Sequence, residues 1–318
     1  MIQTEGLSKR YGKVNALKNL DLEVDKGSVF GFIGPNGAGK STTMLILATL
    51  LEPTAGRAFV GGYDVLRHPR KVRKLIGYMP DFFGVYDQFK AAEYLDFYAA
   101  SYGIPKPDRH TLIPQLLELV NLSDKGEAYV DSLSRGMKQR LGLARCLVHD
   151  PELLILDEPA SGLDPRARVE FREILKELRD MGKTIMISSH ILPELADLCD
   201  DMGVMENGEL VAYGNVKAIT AQLQTGSVVE LRVLDRMAET VTFLGDHPHV
   251  TRVEEESDGL LRVGLEGDEN EQAALLRQLI QAEFPVVRFH AAEKNLEDVF
   301  MEITKGVQSG GVEQSGVE

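Results

Sequence analysis

Nine residues, Gly34-Pro35-Asn36-Gly37-Ala38-Gly39-Lys40-Ser41-Thr42, constrain this chain more than any other stretch. They match G-x-x-x-x-G-K-[ST] and follow the apolar run Val29 to Ile33, a strand, loop and helix in which backbone N–H groups cradle a polyphosphate. Glycine lets the loop wrap closely around phosphate oxygens, and the helix expected from about Lys40 to Leu51 adds the partial positive charge of its N-terminus. Lys40 is placed to reach the β- and γ-phosphates, and Ser41 to offer its hydroxyl to Mg²⁺. The stretch predicts an α/β fold that holds a nucleoside triphosphate.

A chain of 318 residues with 43% hydrophobic side chains has room for one large domain and one small one, each with its own core. Its net charge of −14 argues against a general nucleic-acid binder, which needs a basic face, so no nucleic-acid partner is expected. The two cysteines, Cys146 and Cys199, sit inside apolar helical patterns and read as buried free thiols of a reducing compartment. No apolar run approaches the roughly 18 residues of a membrane span, and Met1-Ile2-Gln3-Thr4-Glu5 lacks the basic-then-apolar form of a signal peptide. Any membrane connection is therefore expected to come through a partner.

Residues from Ile2 to about Val60 read as short strands, with clear alternation from Leu17 to Val24. Ile76 to Met79 is a short strand, and residues 82–149 form an inserted region whose pattern is mostly helical. Leu153 to Leu156 and Thr184 to Ser188 are apolar runs separated by an amphipathic helix, Pro165 to Met181, an alternation that implies a parallel sheet. Asn207-Gly208 marks a hairpin. From Gly214 the texture changes to strand Val228–Val233, helix Ala238–Leu244, a hairpin from Val250 to Leu265, helix Asn270–Ala282, strand Val286–His290 and a short helix Leu296–Ile303. That β-α-β-β-α-β order predicts a small ferredoxin-like α+β domain over 214–305. Residues 306–318 lack apolar periodicity and read as a disordered tail.

A phosphate loop alone leaves kinases, GTPases, helicases and transport ATPases open. Three further segments narrow the choice. Leu153-Leu154-Ile155-Leu156 ends in Asp157, which can hold Mg²⁺ through its water shell, and Glu158, placed as a general base for an attacking water. His190 follows the strand from Thr184 and can hydrogen-bond a γ-phosphate. Leu133-Ser134-Arg135-Gly136-Met137 opens a helix, with Ser134 a ready N-cap and Gly136 exposing backbone N–H groups to an anion. Each also has an ordinary reading by itself: acids at a loop entry, a structural histidine, a capped helix start.

Together and in this order these residues resemble the ATP-binding cassette (ABC) family of ATPases, over roughly residues 2–220. Tyr11, in Lys9-Arg10-Tyr11-Gly12, matches the aromatic that stacks on adenine; Gly34 to Thr42 matches Walker A and Leu133 to Met137 the signature motif. Leu153 to Glu158 matches Walker B, Ser161-Gly162-Leu163-Asp164 the D-loop, and His190 the switch histidine. The resemblance implies a cassette over 1–213, with a parallel core sheet, an N-terminal antiparallel β subdomain and a helical subdomain at about 82–149. It implies ATP and Mg²⁺ as cofactors, with Glu158, His190 and Lys40 catalytic and Ser41, Asp157 and Asp81 on the metal side. It also implies a homodimer, or a heterodimer with a related cassette, in which each site joins one subunit's phosphate loop to the other's Ser134 and Gly136. A separate transmembrane permease would dock near residues 81–89, placing the chain on the cytoplasmic face of the cell membrane. The ending Leu296-Glu297-Asp298-Val299-Phe300-Met301-Glu302 looks like that of exporter-type cassettes for drugs, polysaccharides or other amphiphiles. A soluble ABC ATPase with a non-transport role is the alternative.

The chain departs from the family pattern in three places. Asp81 stands in Tyr78-Met79-Pro80-Asp81 where the family usually has Gln, losing an amide donor and adding negative charge beside triphosphate. In the signature, Arg135 and Met137 replace the usual Gly and Gln. Eight aromatic residues fall between Phe82 and Tyr102. Tyr94, Phe97 and Tyr98, at i, i+3 and i+4, are expected in the helical core, and Phe82, Phe83, Tyr86 and Phe89 in a docking groove for the permease.

Overall fold

The computed structural model describes residues 1–81, 88–190, 195, 197–216, 227–255, 259–267 and 269–292, and the chain divides into two units, Met1–Val216 and Lys217–Glu318. The strands of the first unit are β1 (Ile2–Tyr11), β2 (Val14–Val24), β3 (Val29–Ile33), β4 (Ala55–Val60), β5 (Tyr63–Asp64), β6 (Ile76–Met79), β7 (Leu153–Leu156), β8 (Thr184–Ser189), β9 (Asp201–Glu206) and β10 (Glu209–Asn215). They form two sheets. One is antiparallel, in the order β2-β1-β4-β5; the other runs β10-β9-β3-β8-β7-β6, parallel from β9 to β6 with β10 antiparallel at its edge. The first two strands are 10 and 11 residues long, not the short strands expected, because β1 pairs with β2 on one side and β4 on the other.

Every residue of β3, β7 and β8 is buried, the burial that continuous apolar runs require in a parallel sheet covered on both faces. Ile2, Leu7, Leu17 and Leu20 of the antiparallel sheet share one core with Phe30, Phe32, Met44 and Leu47, each side chain worth about 1.5–3 kcal/mol on full burial. The helices of this unit are α1 (Lys40–Leu47), α2 (Pro69–Leu75), α3 (Ala91–Ser101), α4 (Lys106–Leu119), α5 (Arg135–Leu147) and α6 (Pro165–Asp180). α1 stops at Leu47 rather than near Leu51, since Thr49 turns the chain into the left-handed region at φ 63°. α6 starts where Asp164 accepts from the Ala167 N–H at 2.9 Å and Pro165 fills the first helical position. It buries Phe171, Ile174, Leu175 and Leu178, a single stripe.

In α3 the buried face is Ala91, Tyr94, Leu95 and Ala99. The expected core role holds for Tyr94 but not for Phe97, which is 44% exposed. At about 100° per residue, Phe97 lies far round the helix from Leu95, which sets the direction of the buried stripe. Cys146 and Cys199 are buried free thiols, and burial pushes both up, away from the reactive thiolate.

The second unit contains β11 (Ser227–Val233), α7 (Met237–Gly245), β12 (Val250–Glu255), β13 (Leu260–Leu265), α8 (Glu269–Gln281) and β14 (Val286–Ala292). Its antiparallel sheet runs β12-β13-β11-β14, the ferredoxin-like order. Alternate residues Val229, Leu231 and Val233 of β11 and Leu261, Val263 and Leu265 of β13 pack against Leu244, Leu275 and Leu279 of the helices. The helix expected at Leu296–Ile303 and the tail at 306–318 lie outside the described residues. Among the described residues no helix is long and apolar enough to cross a membrane.

Candidate active site

Strands β3, β8, β7 and β6 lie side by side, and the predicted chemistry collects at their carboxyl ends. Gly34 to Gly39 follow β3, His190 follows β8, Asp157 and Glu158 follow β7, and Asp81 comes two residues after β6. That edge is where open α/β sheets gather ligand-binding loops. The phosphate loop itself permits no side chain at two of its glycines. A Cβ on Gly34 would strike the Met205 carbonyl oxygen, and one on Gly39, at φ 108°, would sit 2.6 Å from the Ala16 oxygen. The Gly208 N–H holds the loop from outside by donating to the Ala38 carbonyl at 3.0 Å. Pro35, Asn36 and Gly37 are exposed, as is Ser41 at the start of α1, while Thr42 is partly buried.

Lys40 is 5% exposed. Its ammonium donates to the Gly34 carbonyl at 2.6 Å and to that of Pro35 at 3.3 Å, and lies 3.4 Å from Glu158 Oε1. The other carboxylate oxygen of Glu158 meets His190 Nδ1 at 2.8 Å. One carboxylate, from the end of β7, thus links the phosphate-loop lysine after β3 to the histidine after β8, the strand that lies between β3 and β7. Glu158 adopts the left-handed region at φ 49°, a conformation costing a non-glycine residue about 1 kcal/mol or more. Its N–H donates to Ser188 Oγ at 2.8 Å, and that hydroxyl in turn donates to Asp157 Oδ1 at 2.7 Å. Ser188 fixes both acids from the neighbouring strand, a role the sequence reading missed. Its one signal was a hydroxyl following the apolar run Ile185-Met186-Ile187.

Asp157 is 4% exposed, and its N–H donates to the Met79 carbonyl at 2.8 Å, joining the ends of β7 and β6. Asp81 is exposed, yet burial raises its carboxyl above the ordinary value and the charges of Asp157 and Glu158 push the same way, against Arg135 and His190. Two carboxylates and a hydroxyl suit an ion that keeps most of its ligands as water and phosphate oxygens, as Mg²⁺ does. Among the described residues no group of three or more His, Cys, Asp or Glu side chains forms a self-contained metal site.

Tyr11 stands at the end of β1, 47% exposed, with the Lys9 ammonium 5.2 Å from its ring centre. Ser134 caps α5, its Oγ accepting from the Met137 N–H at 3.3 Å. Ser134, Gly136 and Met137 line a shallow concavity with Asp164, Arg166 and Glu170; none of residues 34–42 lines it. The fold brings Lys40, Asp157, Glu158 and His190 into one cluster, none of which lines the concavity of Ser134 and Gly136. Of the aromatic groove, Phe82, Phe83 and Tyr86 lie outside the described residues, while the Phe89 ring is 5.8 Å from that of Phe97.

Residues 17–161 match the family described as ABC transporter, and residues 214–304 the domain described as ATP-binding protein DrrA1-3-like, C-terminal domain. The Nod factor export ATP-binding protein I of Ralstonia nicotianae is 35% identical over 96% of this chain and 94% of that protein. The chain belongs to the ATP-binding cassette family. The linearmycin resistance ATP-binding protein LnrL of Bacillus subtilis is 31% identical to this cassette, over 96% of it and 98% of LnrL. The bacitracin transport ATP-binding protein BcrA of Bacillus licheniformis is 33% identical over 96% and 98%. A solved ATP-binding subunit of an ABC transporter aligns with 70% of the cassette chain and 92% of its own, at a TM-score of 0.63 and 32% identity. The cassette is accordingly an ATP-binding, ATP-hydrolysing subunit of a transporter.

Proposed function

We propose that this cassette hydrolyses ATP in a site completed by a second cassette, and that the cycle drives a separate transmembrane permease exporting an amphiphilic compound. The observation that carries the proposal is the link from Lys40 through Glu158 to His190, at 3.4 Å and 2.8 Å. Glu158 takes the proton of the attacking water as the water oxygen bonds to the γ-phosphorus and ADP leaves. His190 steadies that carboxylate and faces the γ-phosphate, while Lys40 and the N–H groups of Gly34, Asn36, Gly37, Ala38, Gly39, Ser41 and Thr42 surround the phosphates, Pro35 having no N–H to give. Tyr11 offers its exposed ring to adenine. Ser41, Asp157 and Asp81 would hold Mg²⁺, which when bound neutralises charge on the β- and γ-phosphate oxygens.

Ser134 and Gly136 line a surface apart from the phosphate loop, which supports a dimer in which each signature faces the other chain's nucleotide, in a homodimer or with a related cassette. Exposed Phe97, Tyr102 and Tyr129 support a permease docking near residues 81–89, with the cassette peripheral on the cytoplasmic face. Export is supported by relatives named for Nod factor export, linearmycin resistance and bacitracin transport. The test is Glu158→Gln. It is expected to lower ATP hydrolysis by at least about 100-fold and to accumulate an ATP-bound dimer on size-exclusion chromatography; hydrolysis at the wild-type rate would remove Glu158 as the base.

A further inference from the structure

β6 is the last strand of the six-stranded sheet, with β7 on one side. Toward β7, the carbonyls of Leu75 and Met79 accept from the N–H groups of Glu152 and Asp157, at 3.0 and 2.8 Å. Successive carbonyls of a strand point to opposite sides, so those of Ile76 and Tyr78 face the open edge. Among the described residues no strand lies beyond that edge, and the end of α5 takes its place. His149 Nε2 donates to the Ile76 carbonyl at 2.9 Å, and Arg145 Nη2 to that of Tyr78 at 3.2 Å, with the Cys146 thiol 3.3 Å from the same oxygen. The approach is close, since a Cβ on Gly77 would fall 2.6 Å from the Cys146 carbonyl oxygen.

Both donors are themselves held by α3. The Tyr102 ring stacks on that of His149 at 3.9 Å and 7°, and the Arg145 guanidinium lies 5.4 Å from the ring centre of Tyr98. A cation in the last turn of α5 suits the helix dipole. The dipole does not ask for a bond to another strand, and His149 lies beyond the helix. α5 thus opens at Ser134 and closes on β6, whose last residue, Met79, holds the Asp157 N–H. Hydrogen bonds through Tyr78 and Met79 join the end of the signature helix to the hydrolytic acids.

We propose that Arg145 and His149 are positioning residues: they pin the signature helix to the outer carbonyls of β6 and so hold Asp157 and Glu158 in place relative to the signature turn of the same chain. The proposal rests on the reading of Glu158 as base in a nucleotide-driven dimer. Losing the pin leaves nucleotide binding and dimer formation intact and slows the hydrolysis that should follow them.

The experiment uses the full chain and three readouts: steady-state ATP hydrolysis, ATP-bound dimer on size-exclusion chromatography in the Glu158→Gln background, and amide hydrogen exchange. Arg145→Met keeps an unbranched apolar stem and removes the donors. It is expected to lower kcat about tenfold with KM for ATP within about twofold, while the dimer forms to within about twofold of Glu158→Gln alone. Its Asp157 amide is expected to exchange faster than the parent's, with the amides of β3, two strands further into the sheet than β7, unchanged. Arg145→Lys returns a charged donor without the flat fork and is expected to recover part of the loss. His149→Phe keeps a ring against Tyr102 without the Nε2 donor and is expected to lower kcat about threefold. An unchanged kcat or an unchanged Asp157 exchange in Arg145→Met would overturn the proposal. So would a dimer that falls in step with hydrolysis, the mark of a merely loosened fold. Should Arg145→Met fail to fold, Arg145→Lys and His149→Phe carry the same readouts. Hydrolysis at the wild-type rate in Glu158→Gln removes the base assignment beneath the proposal, whereas exchange at Asp157 reads the pin by itself.

Discussion

The carboxyl edge of the parallel sheet and the signature turn are the two halves of the proposed site, and they are built differently. At the edge, Lys40 is 5% exposed, Asp157 4% and Ser188 0%, and each polar group is held by another across neighbouring strands. At the signature, Ser134 makes the capping bond of its own helix and lines an open concavity. A site whose donors and acceptors are fixed before the ligand arrives loses little on reorganisation. The edge is such a site; the signature is an open concavity, the half that the proposed dimer would complete. The contrast says that nucleotide binding and nucleotide-driven assembly should be separable by mutation.

Lys40→Ala tests the edge and carries the largest expected effect. It removes the one ammonium shared by two loop carbonyls and Glu158, and a charge-assisted contact to phosphate is lost with it. Affinity for ATP, measured by calorimetry, is expected to fall by at least about 100-fold, equivalent to about 2.7 kcal/mol. Unchanged affinity would mean that the loop binds phosphate through its backbone alone. Ser134→Ala tests the other half. ATP affinity of the single chain is expected to stay within about twofold, while ATP-dependent dimerisation and hydrolysis fall about tenfold. Loss of the cap also costs about 1 kcal/mol of stability, so the unfolding temperature is recorded alongside. A matching fall in single-chain affinity would break the comparison, because both halves would then serve one nucleotide within one chain.

The same contrast governs what could be read before the fold was known. The phosphate loop and the buried strands β6, β7 and β8 were legible because a motif and short apolar runs report local geometry directly. The ferredoxin-like order of the second unit followed from alternation and turn residues in the same way. What the sequence hid depends on contacts between distant segments. Ser188 bridges two acids thirty residues away in the chain, and nothing local marks which groups it serves. The left-handed backbone of Glu158 is likewise imposed by its surroundings and not by its residue type. Phe97 matched a helical stripe by spacing and still faces outward, since spacing alone does not say which flank the core covers. Arg135 stands out in the sequence only as a departure from a pattern, whereas in the fold its guanidinium lies against the backbone of Gly162.

The smallest expected effect concerns Asp81, where the edge is least settled. Burial and the charges of Asp157 and Glu158 raise its carboxyl pKa, with Arg135 and His190 opposing. In the nucleotide-free protein, between the ordinary value of about 3.9 and the raised one, the folded chain keeps a proton that the unfolded chain has released. Stability therefore falls as pH rises through that window and stays lowered above it. Asp81→Asn removes the charge, so at pH 7 the variant is expected to melt about 1–2 °C higher than the parent. The gain should fade to nothing by about pH 3, below the ordinary value, where the parent carboxyl is protonated in both states. Exposure keeps the effect small, because solvent screens the repulsion. A gain that persists at low pH would trace to amide packing instead of charge. An unchanged melting temperature at pH 7 would show that Asp157 and Glu158 exert no net push on Asp81.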